Sequence, residues 1–492
     1  MAGALNTTLF TNTHIQTQKL AEPMDRLDPN YINAIRFLYE RINYEKTVDR
    51  PYDQTTYRLA RMEFLLQQLG NPHLAAPVVH VAGTKGKGSV SWLIAETLRR
   101  AGHRVGLYTS PHLLQIEERF LVDAQPCLPS ELARHIESLK AAEAVTAKSD
   151  HGPPTFFEMT TALAWALFAH RKTDVNVIEV GLGGRLDSTN VCQSQLSIIT
   201  SISLDHQQQL GNTLTQIATE KAGIIKRNVP VISGARGGEA QSVIRNRCHA
   251  MDCQLWEIGV DFDAVVRAQE NWSRSGGSKQ LFFPTRMDFL VKNPSLPISN
   301  IEDCPLRMAG KHQSENAAVA IAAWNRLNAD GWSIPQSALL DALAQTQLSC
   351  RVELVSHEPT IVIDSSHNVA SIEALTLALN DHFAPSRKTI VFACSKDKEY
   401  EKMLDQLMRF ADRLIVTQFH NNPRSVPVEC LEALAREKSA FFQSVEILSA
   451  PSSKIAVEYA QRSAIPNELL CITGSFFLAA ETRPMFPPGS AE

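Results

Sequence analysis

Apolar positions first fall into helical spacing at Tyr31 to Ile42, where Ile32, Ile35, Leu38 and Tyr39 share one side. Tyr57 to Leu69 repeats the pattern, and Gly70-Asn71-Pro72 ends it. The period then changes. Val78 to Ser89, VVHVAGTKGKGS, reads as a short apolar strand, a glycine-rich turn with two lysines and the start of a helix at Ser89. That helix, Ser89 to Arg100, carries Val90, Leu93, Ile94 and Leu98 on one face; Gly102 stops it, and Val105 to Tyr108 is the next strand. The pieces make a βαβ unit. Helices at Leu128–Ala144 and Thr155–Ala169 follow, the second opened by Thr155 as N-cap with Glu158 as its capping-box partner.

Alternation continues with strands at Val175–Gly181 and Leu196–Ile202, a helix at Thr215–Ala222, a strand at Pro230–Ser233 and an Ala-rich helix opened by Gly310 to Asn316 and running to Leu327. From Asn228 to Ala309 the pattern resolves only that one strand and a hairpin-bearing insertion near Leu281 to Val291. Arg351-Val352-Glu353-Leu354 begins a new set: strands at Thr360–Ile363, Thr389–Ala393, Leu414–Thr417 and from Leu470, with helices at Ser371–Leu379 and Lys398–Arg409. Such alternation builds a parallel sheet covered by helices on both faces. The expected fold class is therefore α/β: a P-loop-type, mostly parallel sheet domain over residues 30–347, then a smaller Rossmann-like α/β domain over 348–492. A mobile polar extension is expected at 1–29.

Composition narrows the function classes. A chain of 492 residues exceeds one ordinary core. Its net charge of -4 supplies no general attraction to nucleic acid or to a membrane surface, so a cationic site must be local. Nine scattered cysteines, none in a CxxC pair, argue against a disulfide framework or a zinc site and for a reducing compartment. No run of about 18 apolar residues occurs, and no signal-peptide pattern opens the chain. A cytoplasmic protein is expected.

The chemistry gathers at strand ends. Gly83, Gly86 and Gly88 let the backbone turn its N–H groups toward an anion, and the following helix adds its positive dipole end. Lys87 is placed to reach β/γ-phosphates and Ser89 to hold Mg²⁺, although the spacing departs from the usual GxxxxGK[ST] pattern. Ser110 ends the next strand, Glu179 stands in an apolar strand and needs a cation, and His206 follows another strand end; the three could share a metal. An arginine salt bridge would equally compensate Glu179. Lys221 ends a helix, where an exposed lysine opposing the dipole is the default. Asn316, read as first-turn, could bind an adenine edge or cap its helix. Phe157 is either core or a ring offered to a flat heterocycle. Gly183 to Asn190 looks like a substrate loop, and Asp364 and His367 lie at a strand end of the second domain.

The motifs HVAGTKGKGS (80 to 89), TSPHL (109 to 113), TFFEMTT (155 to 161), EVGLGGRLDSTN (179 to 190), SLDHQQQLG (203 to 211), EKAGIIK (220 to 226), GKHQSENA (310 to 317), RVE (351 to 353), DSSHN (364 to 368) and TGS (473 to 475) together resemble the Mur-type ATP-dependent ligases. Within them they resemble the folylpolyglutamate synthase/dihydrofolate synthase group. The resemblance runs from about Tyr31 to Phe486. It implies an acid–amino-acid ligase that uses ATP and two Mg²⁺ ions, with an ATP-binding central-type domain followed by a glutamate ligase domain. Gly83, Thr84, Gly86, Lys87, Gly88 and Ser89 would bind ATP phosphates, and Asn316, Arg351, Asp364 and His367 the rest of the nucleotide. Ser89, Ser110, Glu179 and His206 would hold Mg²⁺. Thr155, Phe157 and Asp187 would contact a pterin, and Lys221 would be a carbamylated lysine bridging to the second metal. Lys87, Lys221 and His206 would serve catalysis.

The implied substrates are L-glutamate with dihydropteroate or folate, and the implied state is a monomer without nucleic-acid or membrane partners. Two departures stand out: Lys85 where the family more often has Asn, which adds positive charge near the phosphates, and Cys350 where a glycine usually precedes the arginine. A cell-wall Mur ligase with another carboxylate acceptor would be expected to carry a separate N-terminal domain, for which the stretch before the phosphate loop leaves no room. A P-loop NTPase or binding protein without ligase activity would explain the loop but not the second α/β set.

Overall fold

The computed structural model describes residues 28–42, 58–267, 285–383, 385–420, 422–439, 441–442 and 445–487. The extension expected at 1–29 therefore lies outside the described residues except for Asp28 and Pro29, as does the first part of the hairpin expected near Leu281.

Eight strands form the first sheet: β1 Val78–Ala82, β2 Val105–Tyr108, β3 Phe120–Val122, β4 Gln125–Pro126, β5 Val175–Glu179, β6 Ser194–Ile199, β7 Val231–Ser233 and β8 Leu255–Glu257. Their spatial order is β4-β3-β2-β5-β1-β6-β7-β8. The pairs from β2 to β8 are parallel, and β3 and β4 add an antiparallel edge. All five residues of β1 and of β5 are buried, as an interior parallel strand requires. One face is covered by Val90, Leu93, Ile94 and Leu98 of helix Lys87–Arg100, together with the Ala-rich helix Lys311–Ala329. Trp165, Phe168 and Met159 of helix Phe156–Arg171 cover the other, backed by Leu38 of helix Pro29–Tyr39 and Leu65 of helix Leu59–Gln68. The chain leaves β1 for β2 on one side, and β5 crosses back past β1 to β6 on the other, so the winding of the sheet reverses beside β1, and ligands bind at such switch points.

A three-stranded antiparallel sheet follows, β9 Phe262–Val266, β10 Thr285–Val291 and β11 Ile301–Leu306. The last sheet comprises β12 Glu353–His357, β13 Thr360–Ile363, β14 Arg387–Phe392, β15 Arg413–Val416, β16 Glu446–Ser449 and β17 Glu468–Thr473, in the order β12-β13-β17-β14-β15-β16. It is parallel except for β12.

Several elements escape the sequence pattern. Helix Gly238–Ala250 buries only Ala240, Ile244 and Cys248, a line of single residues four apart among polar neighbours, too narrow a stripe to stand out. β16 has no fully buried residue, and helix Ser453–Arg462 buries mainly small side chains. Among the described residues no helix is long and apolar enough to cross a membrane.

The second sheet buries one ion pair almost completely. Arg413 Nη2 lies 2.7 Å from Glu468 Oε1, with side chains 3% and 1% exposed, and the Thr389 hydroxyl donates to the same carboxylate. Removing one partner of such a pair leaves a bare buried charge. Glu468→Ala is expected to destabilise the chain by about 3–5 kcal/mol in denaturant unfolding. Glu432→Ala, which breaks an i,i+4 helix pair whose arginine side chain is 58% exposed, should stay within about 0.5 kcal/mol.

Candidate functional site

The turn after β1 is shaped by its neighbours as much as by its glycines. Gly86 has φ +85° and is the N-cap of a helix that begins at Lys87, two residues before the expected Ser89. The N–H groups of Gly88 and Ser89 thus belong to its first turn, where helical partners are lacking. A Cβ on Gly86 would stand 2.1 Å from Asn316 Oδ1. Asn316 therefore packs on the phosphate loop, its Nδ2 donating to Gln313 Oε1 at 3.0 Å. It lies in the second turn of its helix, not the first, and caps nothing; Gly310 is the N-cap. The segment after β6 stitches the loop down: Thr84 N donates to Ser201 O at 2.7 Å, the Thr84 hydroxyl meets both the Ser203 N–H and carbonyl, and Thr200 and Ser201 hydroxyls donate to Lys85 O.

Two ammonium groups converge on one carbonyl. Gly83 O accepts from Lys221 Nζ at 2.8 Å and from Lys87 Nζ at 3.2 Å. Lys221 is 4% exposed, so the expectation of an exposed helix-end lysine is corrected: helix Leu214–Ala222 packs its last turn under the loop. Burial, reinforced by the charge of Lys87, pushes the Lys221 amine down to about 7. Burial also lowers Lys87, with Glu179 and Asp205 opposing.

The strand order explains what meets there. β5 lies between β2 and β1, so Glu179, in register beside Val81, adjoins both the phosphate loop and the end of β2. Glu179 is buried and accepts the Ser110 N–H at 3.2 Å. Among the described residues it has no salt bridge, so the arginine pairing considered for it is absent. Burial raises its pKa, and Lys87 is the largest opposing influence. His206 lies on the far side of β1, exposed, in a left-handed turn with φ +50°; Lys87, Lys221 and Lys85 all act on it electrostatically. Ser89 is buried beside the loop.

One pair was not foreseen. Lys85 Nζ lies 2.7 Å from Asp205 Oδ2, so the extra lysine does not stand as free positive charge. Although burial opposes ionisation, Lys85 and His206 hold the Asp205 carboxyl well below its usual range. The available signal was the acidic residue directly preceding His206.

The second sheet contributes its own strand ends. Asp364, at the end of β13, accepts Val352 N at 2.9 Å and Ser366 N at 2.8 Å, so its carboxylate braces two loops. Arg351 is exposed and tied to Ser365 by one hydrogen bond of 2.8 Å; its charge acts on Glu179 across the two sheets. Burial and then Lys85 push the His367 imidazole down to about 4. Leu113, from the loop after β2, packs, as Phe477 and Met485 do, against the buried core that holds Ile363 and Leu478. Cys350 adopts φ +55°, the backbone conformation a glycine would favour, which keeps the turn before Arg351.

The substrate loop is built from β1 outward. Asp187 is buried; its Oδ1 accepts Thr189 N at 3.0 Å and the Thr189 hydroxyl at 2.5 Å, and its Oδ2 accepts Leu182 N at 2.9 Å. The Thr189 hydroxyl in turn lies 2.9 Å from Nε2 of His80, a buried histidine pushed down to about 3 by desolvation and hence neutral. Both Asp187 oxygens are engaged within the chain, so the carboxylate shapes the loop more directly than it faces a ligand. Thr155 makes the expected capping box with Glu158, and Glu158 also receives Arg61 Nε at 2.9 Å. Phe157 is half-buried, tilted against Tyr108 at 6.1 Å, and its Cζ comes 2.3 Å from where a Gly181 Cβ would be. A ring face and the 181–190 loop thus meet beside the ridge of strand ends.

Residues 81–324 match the family described as Mur ligase middle domain, and residues 350–476 match Mur ligase, glutamate ligase domain. The chain is 33% identical to the Bacillus subtilis dihydrofolate synthase/folylpolyglutamate synthase over 86% of its own length and 94% of that protein. It is similar in structure to Thermotoga maritima folylpolyglutamate synthase, with TM-score 0.78 and 30% identity over 94% and 98% of the two chains. An Escherichia coli protein solved in complex with DHPP and ADP matches at TM-score 0.74 and 27% identity, over 92% and 97%.

The packing of Asn316 on Gly86 generates a test. Gly86→Ala places a side chain in a left-handed conformation and against Asn316, at a cost of about 1–3 kcal/mol in strain confined to the loop. ADP binding by calorimetry is expected to weaken at least about tenfold with only a small change in unfolding midpoint.

Proposed function

The chain belongs to the folylpolyglutamate synthase/dihydrofolate synthase family of Mur-type ligases, and on that premise we propose that it joins L-glutamate to folates and to dihydropteroate at the expense of ATP. The observation that carries the reading is the convergence of the phosphate loop, Lys87, Lys221, Glu179 and Ser110 at the carboxyl ends of the central strands of the first sheet, with Arg351 acting on Glu179 and His367 facing Lys85 from the second. We take the two units to divide at 347/348, one binding ATP and the pterin, the other supplying the far wall for glutamate.

A carboxylate is a poor acyl donor. Its oxygen attacks the γ-phosphorus of ATP, ADP leaves, and an acyl phosphate results. The glutamate amine then attacks the carbonyl carbon, the C–O bond to phosphate breaks, and the amine loses a proton as the amide forms. The phosphoryl group needs positioning and charge stabilisation rather than covalent help. Loop N–H groups of Gly86 to Ser89 and the Lys87 ammonium meet its oxygens, with Gly83 and Thr84 holding the loop's shape. Asn316 and Asp364 act by fixing the phosphate loop and the Arg351 turn, and Arg351 and His367 approach the nucleotide from the second unit. Thr155 and Asp187 hold the loop and helix that present Phe157 to a pterin ring.

Glu179 is a suitable magnesium ligand on this structure's own terms: a buried carboxylate with no salt bridge among the described residues, bonded to the Ser110 N–H and facing Gly88 of the phosphate loop. Ser89, Ser110, Glu179 and His206 would hold the ions, and magnesium would neutralise phosphate charge. Lys221 has the environment for carbamylation, since only a neutral amine adds CO₂ and its neighbours favour neutrality near pH 7. A reducing compartment such as the cytoplasm agrees with the nine cysteines, all free in the structure, and we take the chain to act as a monomer.

Three outcomes test this. Phosphate release from Mg-ATP with L-glutamate should require an acceptor and proceed with both dihydropteroate and tetrahydrofolate; release without any acceptor would point instead to a simple NTPase. Lys87→Ala should abolish ligation with an unchanged circular dichroism spectrum. Because the Lys221 amine sits at about 7, it is protonated below that value and neutral above it. With saturating bicarbonate, kcat should rise as pH increases through about 7, and ¹³C-bicarbonate should give a carbamate NMR signal absent from Lys221→Ala; no such signal in active enzyme would eliminate the carbamate.

A further inference from the structure

We propose that Glu131, His135 and His170 form a binding site for a divalent transition-metal ion of the zinc class, clamping helix Pro129–Lys148 to helix Phe156–Arg171. The site is separate from the ligase chemistry. Phe157 opens the second helix near the strand-end ridge, and His170 lies in its last turn, 13 residues on, which is about 20 Å along the axis.

Glu131 and His135 are four apart and share a face of their helix, and His170 comes across from the neighbouring one. One ligand atom from each lies within 4.8 Å of the others. The imidazole rings stand 5.0 Å apart at 72°, an edge arrangement that leaves ring nitrogens available. Neither ring takes part in a hydrogen bond among the described residues. The two histidines thus have no structural partner that a metal would have to displace.

Glu131 is already oriented. Its buried carboxylate receives Arg171 Nε on Oε1 at 2.6 Å, and Arg171 Nη2 donates to Oε2. An ionised carboxylate offers about four lone-pair sites, so a bidentate arginine leaves capacity for an ion. Arg171 then plays the part that an outer hydrogen-bond partner plays for a metal ligand, fixing its direction. His135 is half-buried between the two helices, and a neutral imidazole is the form that binds a metal. His170 is exposed and free to turn the small distance that bonds of about 2.0–2.1 Å require. Two imidazoles and one carboxylate select zinc, cobalt or nickel over magnesium or calcium, and water completes the coordination.

The test uses the full chain, freed of metal with a chelator and titrated with Co²⁺ followed by visible absorption, then with Zn²⁺ followed by calorimetry and thermal unfolding. His206→Ala serves as the background, which removes the imidazole of the proposed magnesium site and keeps the two readings distinguishable. In that background one equivalent should bind, and Zn²⁺ should raise the unfolding midpoint. His135→Ala and His170→Ala should each weaken binding tenfold or more and remove the thermal shift. His170 is exposed, so its variant is expected to fold and, in the otherwise wild-type chain, to keep ligase activity. Equal affinity in the His170 variant, loss in only one of the two histidine variants, or no binding in the His206→Ala background would overturn the site.

Discussion

A carboxylate held at the end of a fully buried strand, with no ion pair among the described residues, is the constraint around which the site is arranged. Glu179 is hydrogen-bonded to one backbone N–H, its ionised form is opposed by burial, and Lys87 is its largest electrostatic support. Lys87 is itself disfavoured as a cation by burial and by Lys85. Each charge therefore depends on others in the cluster, and an anion and a divalent cation brought in together would satisfy both signs. That is the charge demand of a magnesium nucleotide.

The same balance joins the two sheets. Lys85 is paired with Asp205, Asp205 precedes His206, and Lys85 also acts on His367 from the second unit. Leu113 extends from the end of β2 and packs against the second unit's apolar core, close in sequence to Ser110, whose N–H meets Glu179. Displacement of the second unit would therefore be felt at the Glu179 end of β5. The chain as a whole carries -4, yet Lys85, Lys87, Lys221 and Arg351 gather about Glu179, Asp205 and Asp187. Net charge describes the surface; the site's sign is a local matter.

Legibility in the sequence follows how local each feature is. The βαβ unit around the phosphate loop was readable because a strand, a glycine turn and an amphipathic helix lie consecutively, and Val90, Leu93, Ile94 and Leu98 are buried as their spacing requires. The capping box of Thr155 and Glu158 was readable for the same reason, since its partners stand only three positions apart. The bond from Arg61 to Glu158 spans 97 residues and left no local trace. Helix Gly238–Ala250 has too few apolar residues to show a period, although Ile244 and Cys248 are buried. Asn316 was placed one turn too early because its helix begins at Lys311, after a Gly310 cap that no side-chain signal marks.

The sequence by itself determined the element types, the alternation that makes two parallel sheets, and the residue kinds able to hold phosphate and metal. These are properties of hydrophobic period, turn chemistry and side-chain inventory, all expressed over a few neighbouring residues. Only the tertiary structure decided that β5 lies between β2 and β1, and hence that Glu179 adjoins both Ser110 and the phosphate loop. It alone decided that Lys221 is buried beneath Gly83, that Lys85 is paired with Asp205, and that both Asp187 oxygens turn inward to their own loop. Each of these is a contact between segments distant in the chain. Strand order and burial are set by how whole faces pack, so the ionisation of a residue such as Lys221 cannot be read from the helix that carries it.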